Sequence, residues 1–339
     1  FHIPTYIGQS LSGNPNIGLP LTVFRLREEH EVAVLEMGIS GFGEMTRLAK
    51  IARPDICVIT NIGVAHLENL GSRDGILKAK TEMFAYMNPR GTIILNGDDD
   101  KLRSFTPENG ITPVYFGLDA ACPFHAEHIE NRGLKGTDAE FVTPASRFSA
   151  HINIPGGHMV YNALAGAAVG YALGMTDQEI ARGIEANVPI AGRNNLIETS
   201  RYTLIDDCYN ANPASMKASL DVLACADTRT AAILGDMFEL GENSAKMHYE
   251  VGAHAADAGI NVLIGIGELS AETVRGAEET AAERGLSMEI RHFASKEDFF
   301  RESETLLKEK DTILIKASHG MEFTEIVDRL KEPVRTENI

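Results

Sequence analysis

The 339-residue sequence lacks the cysteine patterns of secreted or zinc-stabilised proteins. Its few cysteines are far apart, and none forms a Cys-x-x-Cys pair: Cys57, Cys122, Cys208 and Cys225. This spacing argues against a disulfide framework and against a zinc ribbon. Because unpaired cysteines are typical of a reducing compartment, we predict a cytoplasmic protein.

Long apolar runs and positive charges are also scarce. No apolar run approaches the roughly 18 residues of a membrane-spanning helix, so the sequence predicts no membrane insertion. The chain has 31 Lys and Arg against 48 Asp and Glu, a formal net charge of −17. This charge disfavours nucleic acids and anionic membranes as partners, although a local basic pocket for phosphates is compatible with it. The predicted partners are therefore small molecules.

Short apolar runs separated by helical stretches predict an α/β fold. Runs at 32–37, 56–60 and 92–96 are continuous, as is typical of buried parallel strands. Helical stretches near 43–52 and 72–87 lie between them and predict crossover connections. Residues 112–154 contain β-like pieces at 113–116, 139–142 and 150–154 without intervening helices, and they predict a small antiparallel extension of a mainly parallel sheet.

The pattern restarts near residue 190, after two predicted helices at 158–173 and 176–187. Strands predicted at 202–206, 231–234, 262–266, 289–292 and 312–316 alternate with helices predicted near 213–225, 244–258, 270–284, 295–309 and 321–331. This alternation predicts a Rossmann-like, doubly wound sheet. We therefore expect two domains, residues 1–190 and residues 191–339.

Polar residues follow several of the predicted strands. Ligands of open α/β sheets bind at the carboxyl ends of strands, which gives weight to Glu36, Asn96, Asp98, Asp207 and Lys316. Carboxylates and amides gathered at such ends suit a site for a metal–nucleotide complex. Each residue taken alone is also a common helix cap or turn residue.

The most informative segment runs from residue 60 to residue 80. Lys80 follows His66 by 14 residues, and with Glu36 in Leu-Glu-Met-Gly this spacing resembles the Mur ligase family. The resemblance implies that Lys80 is carbamylated and that Glu36, His66 and Lys80 are catalytic residues that bind Mg²⁺. A carbamate offers the anionic oxygens that Mg²⁺ prefers, whereas an ammonium cannot ligate a cation. Residue type alone leaves open a solvated helix lysine and a histidine that caps a turn.

Two strings in the second half resemble the branch of this family that adds D-alanyl-D-alanine. They are Asp-Asp-Cys-Tyr-Asn-Ala-Asn-Pro at 206–213 and Gly-Asp-Met-Phe-Glu-Leu-Gly at 235–241. The resemblance implies substrate contacts from Tyr209, Asn210, Asn212, Lys316 and Ser318. The residues alone also allow Asn212 to cap a helix that opens at Pro213.

The resemblance also implies a set of residues that bind the nucleotide. They are Asn96 and Asp98 in Asn-Gly-Asp, His158 and Asn162 in Gly-His-x-x-Tyr-Asn, Arg193 in Ala-Gly-Arg, and Asp207. Two local alternatives stay open. Asn162 can be a solvent-facing helix residue, and Asp98 can complement a helix dipole.

The implied activity is that of an ATP-dependent, amide-forming ligase of peptidoglycan precursor synthesis. The γ-phosphoryl group of ATP passes to the carboxylate of UDP-N-acetylmuramoyl-tripeptide, and the amine of D-alanyl-D-alanine attacks the acyl phosphate. The expected cofactors are ATP and Mg²⁺, and we expect a monomer.

The sequence departs from the family in two respects. It contains no Gly-x-x-x-x-Gly-Lys-(Ser/Thr) phosphate loop, and nothing in it resembles the family's amino-terminal uridine-nucleotide domain. We therefore expect a fragment that begins just past the loop and is inactive alone. The alternatives are a non-catalytic substrate-binding paralogue, or another ligase of the superfamily such as folylpolyglutamate or cyanophycin synthetase.

Overall fold

The protein is described by a computed structural model, which covers residues 5–8, 15–64 and 67–331. The strands of the first half are β1 (Thr5–Gly8), β2 (Val32–Leu35), β3 (Ile56–Ile59), β4 (Thr92–Asn96), β5 (Val114–Gly117), β6 (Phe124–Asn131), β7 (Thr137–Val142) and β8 (Arg147–Ile152). The helices are α1 (Pro15–Val23), α2 (Glu44–Ala52), α3 (Leu67–Leu70), α4 (Arg73–Thr81), α5 (Asp100–Arg103), α6 (Met159–Ala172) and α7 (Asp177–Glu185). A 3₁₀ turn, Glu82–Tyr86, continues α4.

The first six-stranded sheet has the order β3-β4-β5-β6-β7-β8. Strands β3 to β6 pair in parallel, whereas β1 and β2 form a separate two-stranded parallel sheet. The expectation of an antiparallel piece at residues 113–116 is wrong, because β5 pairs in parallel with both β4 and β6. Pairing direction depends on where the chain returns to the sheet, and a local apolar run carries no information about that.

The second half forms another six-stranded sheet. Its strands are β9 (Asn195–Glu198), β10 (Thr203–Asp206), β11 (Thr230–Gly235), β12 (Val262–Ile266), β13 (Glu289–Phe293) and β14 (Thr312–Lys316). Its helices are α8 (Pro213–Ala224), α9 (Ser244–Asp257), α10 (Ser270–Arg284), α11 (Lys296–Leu306) and α12 (Thr324–Lys331). The order is β13-β12-β11-β14-β10-β9, with only β9 antiparallel to its neighbour. The predicted alternation of strands and helices is confirmed.

Two compact units make up the chain. One contains the described residues up to Glu127 together with Phe141–Phe148 and Tyr161–Ile180, and we call it unit 1. Unit 2 contains His128–Glu140, Ser149–Val160 and the described residues from Ala181 onward. Each unit has its own apolar core, in which buried side chains of strands pack against buried side chains of helices. Among the described residues, no helix has the length and apolar character needed to cross a membrane.

The connections of the second sheet diverge between β11 and β14. The chain leaves β11 towards β12, whereas it leaves β14 through α12, which packs against β10 on the other side. Diverging connections open a crevice at the carboxyl ends of the two strands, and such crevices bind ligands in doubly wound folds. At this edge the backbone N–H of Ser318 donates to the carbonyl of Asp236 at 3.0 Å.

Helices α9 and α10 approach closely because glycines lie at their contact. A Cβ atom on Gly252 would overlap the backbone carbonyl of Thr273, and one on Gly276 would overlap that of Tyr249. We therefore expect Gly252→Ala to lower the free energy of unfolding by about 2 kcal/mol, since overpacking forces the helices apart. Urea denaturation measures the change.

The matched control for this substitution is Gly183→Ala on the exposed face of α7. Nothing lies within 4 Å of a Cβ atom built on Gly183, so alanine is expected to stabilise the helix by about 1 kcal/mol through its higher helix propensity. Equal unfolding free energies for the two alanine variants would contradict the proposed close packing of α9 and α10.

Candidate functional site

The first group of predicted site residues lies at the carboxyl end of β4. Asn96, the last residue of this strand, is buried, and its Nδ2 donates to the carbonyl of Thr60 just after β3 at 2.9 Å. Its Oδ1 accepts the backbone N–H of Asp98 at 2.9 Å. One amide thus joins the ends of two neighbouring parallel strands and sets the turn that carries Asp98.

The orientation of the Asp98 carboxylate is set by the loop after β5 and by α6. Its Oδ2 accepts the N–H of Leu118 at 2.5 Å and the hydroxyl of Tyr161 at 3.0 Å, and its Oδ1 accepts the N–H of Asp119 at 3.3 Å. Burial, followed by the hydrogen bond to Asp98, raises the pKa of Tyr161 to about 12. The Tyr161 phenol therefore stays protonated and remains a hydrogen-bond donor. This hydrogen bond and those from the loop fix the orientation of the exposed Asp98 carboxylate.

Lys80 lies in the last turn of α4 and contacts the segment after β3. Its Nζ donates to the carbonyl of Asn61 at 3.1 Å. Burial lowers the pKa of the Lys80 ammonium, and the negative charge of Asp99 opposes this shift. Asp99 in turn accepts the N–H of Ile62 at 2.8 Å. Lowering the pKa enlarges the share of neutral amine, which is the form that adds to carbon dioxide.

The structure describes one of the two other predicted metal ligands. Glu36 directly follows β2 and is exposed. His66 lies outside the described residues. The structure therefore places Lys80 and Glu36 at ends of elements in unit 1, and the three-residue metal site stays a prediction.

The second group of predicted residues lies in unit 2, at the ends of the adjacent parallel strands β10 and β14. Lys316 ends β14 and is 2% exposed. Its Nζ donates to Asp207 Oδ2 at 2.6 Å and to the carbonyls of Asn210 and Asp207 at 3.0 and 3.4 Å. Asp207 also accepts the Ser219 hydroxyl at 2.6 Å and the N–H of Asn194 at 3.0 Å. All three donors of the ammonium are thus satisfied inside the protein.

The loop after β10 carries Tyr209, which packs against Arg193 from the segment before β9. The Arg193 guanidinium lies 4.2 Å from the centroid of the Tyr209 ring, and this ring lies 5.7 Å from that of His319. Gly192 holds the two segments together, because its N–H donates to Asp206 Oδ2 and its carbonyl accepts the N–H of Tyr209, each at 2.9 Å. The Tyr209 side chain is half exposed, so the stack presents a cation and aromatic rings to solvent.

Three more predicted substrate residues have structural partners. Asn212 is the N-cap of α8: its Oδ1 accepts the N–H of Ser215, and the Ser215 hydroxyl accepts the N–H of Asn212. Ser318 is buried, and its hydroxyl accepts the N–H of Phe238 at 2.9 Å. Asn210 is exposed. The local interpretation of Asn212 as a helix cap is confirmed, and its contact with substrate stays a prediction.

His158 and Asn162 lie at the beginning of α6. The ring of His158 rests on Gly156, where a Cβ atom would lie 2.7 Å from its Cε1. Desolvation by the surrounding protein lowers the pKa of His158, while the negative charge of Asp207 opposes the shift. Asn162 is in the first turn of α6 and is exposed.

Several residues that organise these sites were not predicted. Ser219 lies one helical turn after Ser215 on α8, and this spacing could have shown that it faces the end of β10. Asn194 and Tyr161 offered no signal except their places beside Arg193 and Asn162 in the chain.

The chain is similar to known proteins along nearly its whole length. Two family models match the chain: the Mur ligase middle domain at residues 3–170, and the Mur ligase glutamate ligase domain at residues 192–319. The UDP-N-acetylmuramoyl-tripeptide–D-alanyl-D-alanine ligase of Bacillus subtilis is 35% identical over 328 residues, which are 94% of this chain and 68% of that protein. The chain belongs to the Mur ligase family.

Solved structures of Mur ligases share its fold. A crystal structure of MurF from Acinetobacter baumannii has a TM-score of 0.86 at 28% identity and covers 98% of this chain and 71% of its own. The MurF ligase from Thermotoga maritima in complex with ADP has a TM-score of 0.82 at 25% identity, with coverages of 97% and 73%. In this Mur ligase, each unit carries predicted site residues at strand ends, with Asn96 at the end of β4 in unit 1 and Lys316 at the end of β14 in unit 2.

Proposed function

We propose that this chain carries the middle domain, residues 1–190, and the carboxyl-terminal domain, residues 191–339, of an ATP-dependent ligase. The reaction adds D-alanyl-D-alanine to UDP-N-acetylmuramoyl-tripeptide in peptidoglycan precursor synthesis. The observation that carries the proposal is similarity to D-alanyl-D-alanine ligases along nearly the whole chain. The region of similarity spans both strings of the second half, at 206–213 and 235–241. The comparisons do not favour folylpolyglutamate or cyanophycin synthetase. We further propose a cytoplasmic location and a monomeric state.

The residues of unit 1 fit a magnesium site in their chemistry. Mg²⁺ prefers oxygen ligands, and Glu36 offers an exposed carboxylate directly after β2. Lys80 can supply oxygen only as a carbamate, and its half-buried amine has a lowered pKa that favours this modification. We propose that Glu36, His66 and carbamylated Lys80 hold the ion. When bound, Mg²⁺ neutralises the phosphate charges that develop during transfer.

The other predicted residues would bind and orient the nucleotide. The side chains of Asn96 and Asp98 are already oriented by their own hydrogen bonds. They therefore lose little conformational entropy when a nucleotide binds. The exposed guanidinium of Arg193 can donate two parallel hydrogen bonds to phosphate oxygens. We propose that Asp207, His158 and Asn162 bind the same nucleotide.

The loop residues of unit 2 would orient the acceptor substrate. Tyr209 and Asn210 are exposed beside β10, and we propose that they contact the substrate. Asn212 and the buried Lys316 and Ser318 would hold the loops that form this surface. The tripeptide carboxylate takes the γ-phosphoryl group, and the dipeptide amine then displaces phosphate. Because the first step joins two polyanions and the second requires the amine to approach an acyl phosphate, the protein contributes mainly orientation and charge neutralisation.

A substrate panel tests the proposed function. The complete protein that contains this chain is expected to release ADP and phosphate only when UDP-N-acetylmuramoyl-tripeptide and D-alanyl-D-alanine are both present. Mass spectrometry should detect the pentapeptide product, and L-alanyl-L-alanine should give none. Turnover of a folate with glutamate would contradict the proposal. Binding of both substrates without ADP formation would contradict the proposed ligase activity.

A further inference from the structure

Asn194 is a buried asparagine that connects three segments of unit 2. It is 8% exposed, and its Nδ2 donates to the carbonyl of Pro155 at 2.5 Å. Its backbone N–H donates to Asp207 Oδ1 at 3.0 Å. Its Oδ1 is buried and has no hydrogen-bond partner among the described residues. The backbone N–H and the Nδ2 of Asn194 therefore each donate to another segment of the protein, whereas its Oδ1 acceptor has no partner within the described part of the chain.

The residue type at this position follows from two requirements. The backbone of Asn194 has φ +47°, in the left-handed region where asparagine is tolerated better than most residues with a side chain. The contact with Pro155 needs an N–H donor on a short side chain, which aspartate lacks. Asparagine meets both requirements, whereas glycine meets only the first.

The three connected segments each carry a predicted nucleotide-binding residue. Arg193 directly precedes Asn194 in the chain. Asp207 receives its backbone N–H. Pro155 directly precedes Gly156, on which the ring of His158 rests. A change at Asn194 would therefore shift Arg193, Asp207 and the support of His158 together.

We propose that Asn194 is a positioning residue for nucleotide binding, which acts by fixing Arg193 and Asp207 relative to the Pro155 segment. The inference rests on the proposed function, because it takes Arg193, Asp207 and His158 as nucleotide-binding residues. It goes beyond that function by assigning a role to a side chain that the family resemblance left without one.

The experiment measures the binding of ADP with Mg²⁺ to the complete protein by calorimetry. Asn194→Gly keeps the left-handed backbone and removes only the side chain, so Kd is expected to rise about tenfold through loss of the Pro155 contact. Asn194→Asp retains the shape but not the donor and should weaken binding at least as much. Asn187→Ala, an exposed asparagine after α7, is the control and should leave Kd unchanged.

A second measurement separates positioning from a structural role. In an Arg193→Ala background, Asn194→Gly should change Kd by a clearly smaller factor than in the unsubstituted protein, because one of the groups that it positions is already absent. A purely structural residue would give the same factor in both backgrounds, and that result would overturn the proposal.

The remaining outcomes are also decisive. If the unsubstituted protein binds no ADP, the nucleotide site itself is wrong, and the proposed function fails with it. If it binds ADP and both Asn194 variants bind equally well, only the positioning role is overturned. If both variants unfold at the assay temperature while Asn187→Ala does not, Asn194 is a structural residue and the proposal is likewise overturned.

Discussion

Lys80→Ala is expected to lower kcat of ligation about 10²–10³-fold while leaving the fold intact. The substitution removes the group that we propose as a carbamate ligand of Mg²⁺, and charge stabilisation of a transferring phosphoryl group is worth about this much. Stability should fall by only about 1 kcal/mol, because the hydrogen bond lost from the native structure is that to the Asn61 carbonyl.

Two companion variants make the result specific. Lys78→Ala, an exposed lysine two residues earlier on α4, should retain full activity. Lys80→Arg keeps the positive charge but provides no neutral amine under assay conditions, so it should be as inactive as Lys80→Ala. If Lys80→Arg retained ligation, a positive charge at this position would suffice and the carbamate role would be wrong.

A measurement independent of turnover checks the same modification. Protein equilibrated with ¹³C-bicarbonate should show a carbamate carbon signal by NMR, and the signal should be absent from Lys80→Ala and present in Lys78→Ala. A carbamate signal that persists in Lys80→Ala would assign the modification to another amine.

Much of the fold could be predicted because its central strands are buried on both faces. β4, β11, β12 and β14 are continuous apolar runs in the sequence, and their residues are almost fully buried. β6 and β9 were missed for the opposite reason. The second half of β6 is polar and exposed, and β9 is a four-residue edge strand without a fully buried side chain.

The candidate site could be located from the sequence, but its internal connections could not. We identified Asn96, Asp98, Asp207 and Lys316 only from their positions at or just after the ends of predicted strands. Their partners come from distant positions, as in the contact between Asn194 and Pro155, which are 39 residues apart. Such a contact depends on how distant segments fold together, so no local sequence pattern predicts it.

Burial of Lys316 leads to the second large prediction, since this residue was expected to contact substrate. Its ammonium instead forms an ion pair with Asp207 in which the two side chains are 3% and 14% exposed. Lys316→Met would retain the volume of the stem but leave the Asp207 carboxylate without its counter-charge and the Asn210 carbonyl without its donor. We expect the free energy of unfolding to fall by about 3–5 kcal/mol, as when one partner of a buried pair is removed.

Urea denaturation of four variants checks this prediction. Lys308→Met, an exposed lysine after α11, should change the unfolding free energy by less than about 0.5 kcal/mol. Asp207→Asn combined with Lys316→Met should be more stable than Lys316→Met alone, because a neutral amide needs no counter-charge, whereas Asp207→Asn alone leaves the ammonium unpaired. If Lys316→Met retained wild-type stability but lost turnover that depends on D-alanyl-D-alanine, the buried ion pair would not stabilise the loop. Lys316 would then be the substrate contact that the family resemblance implies.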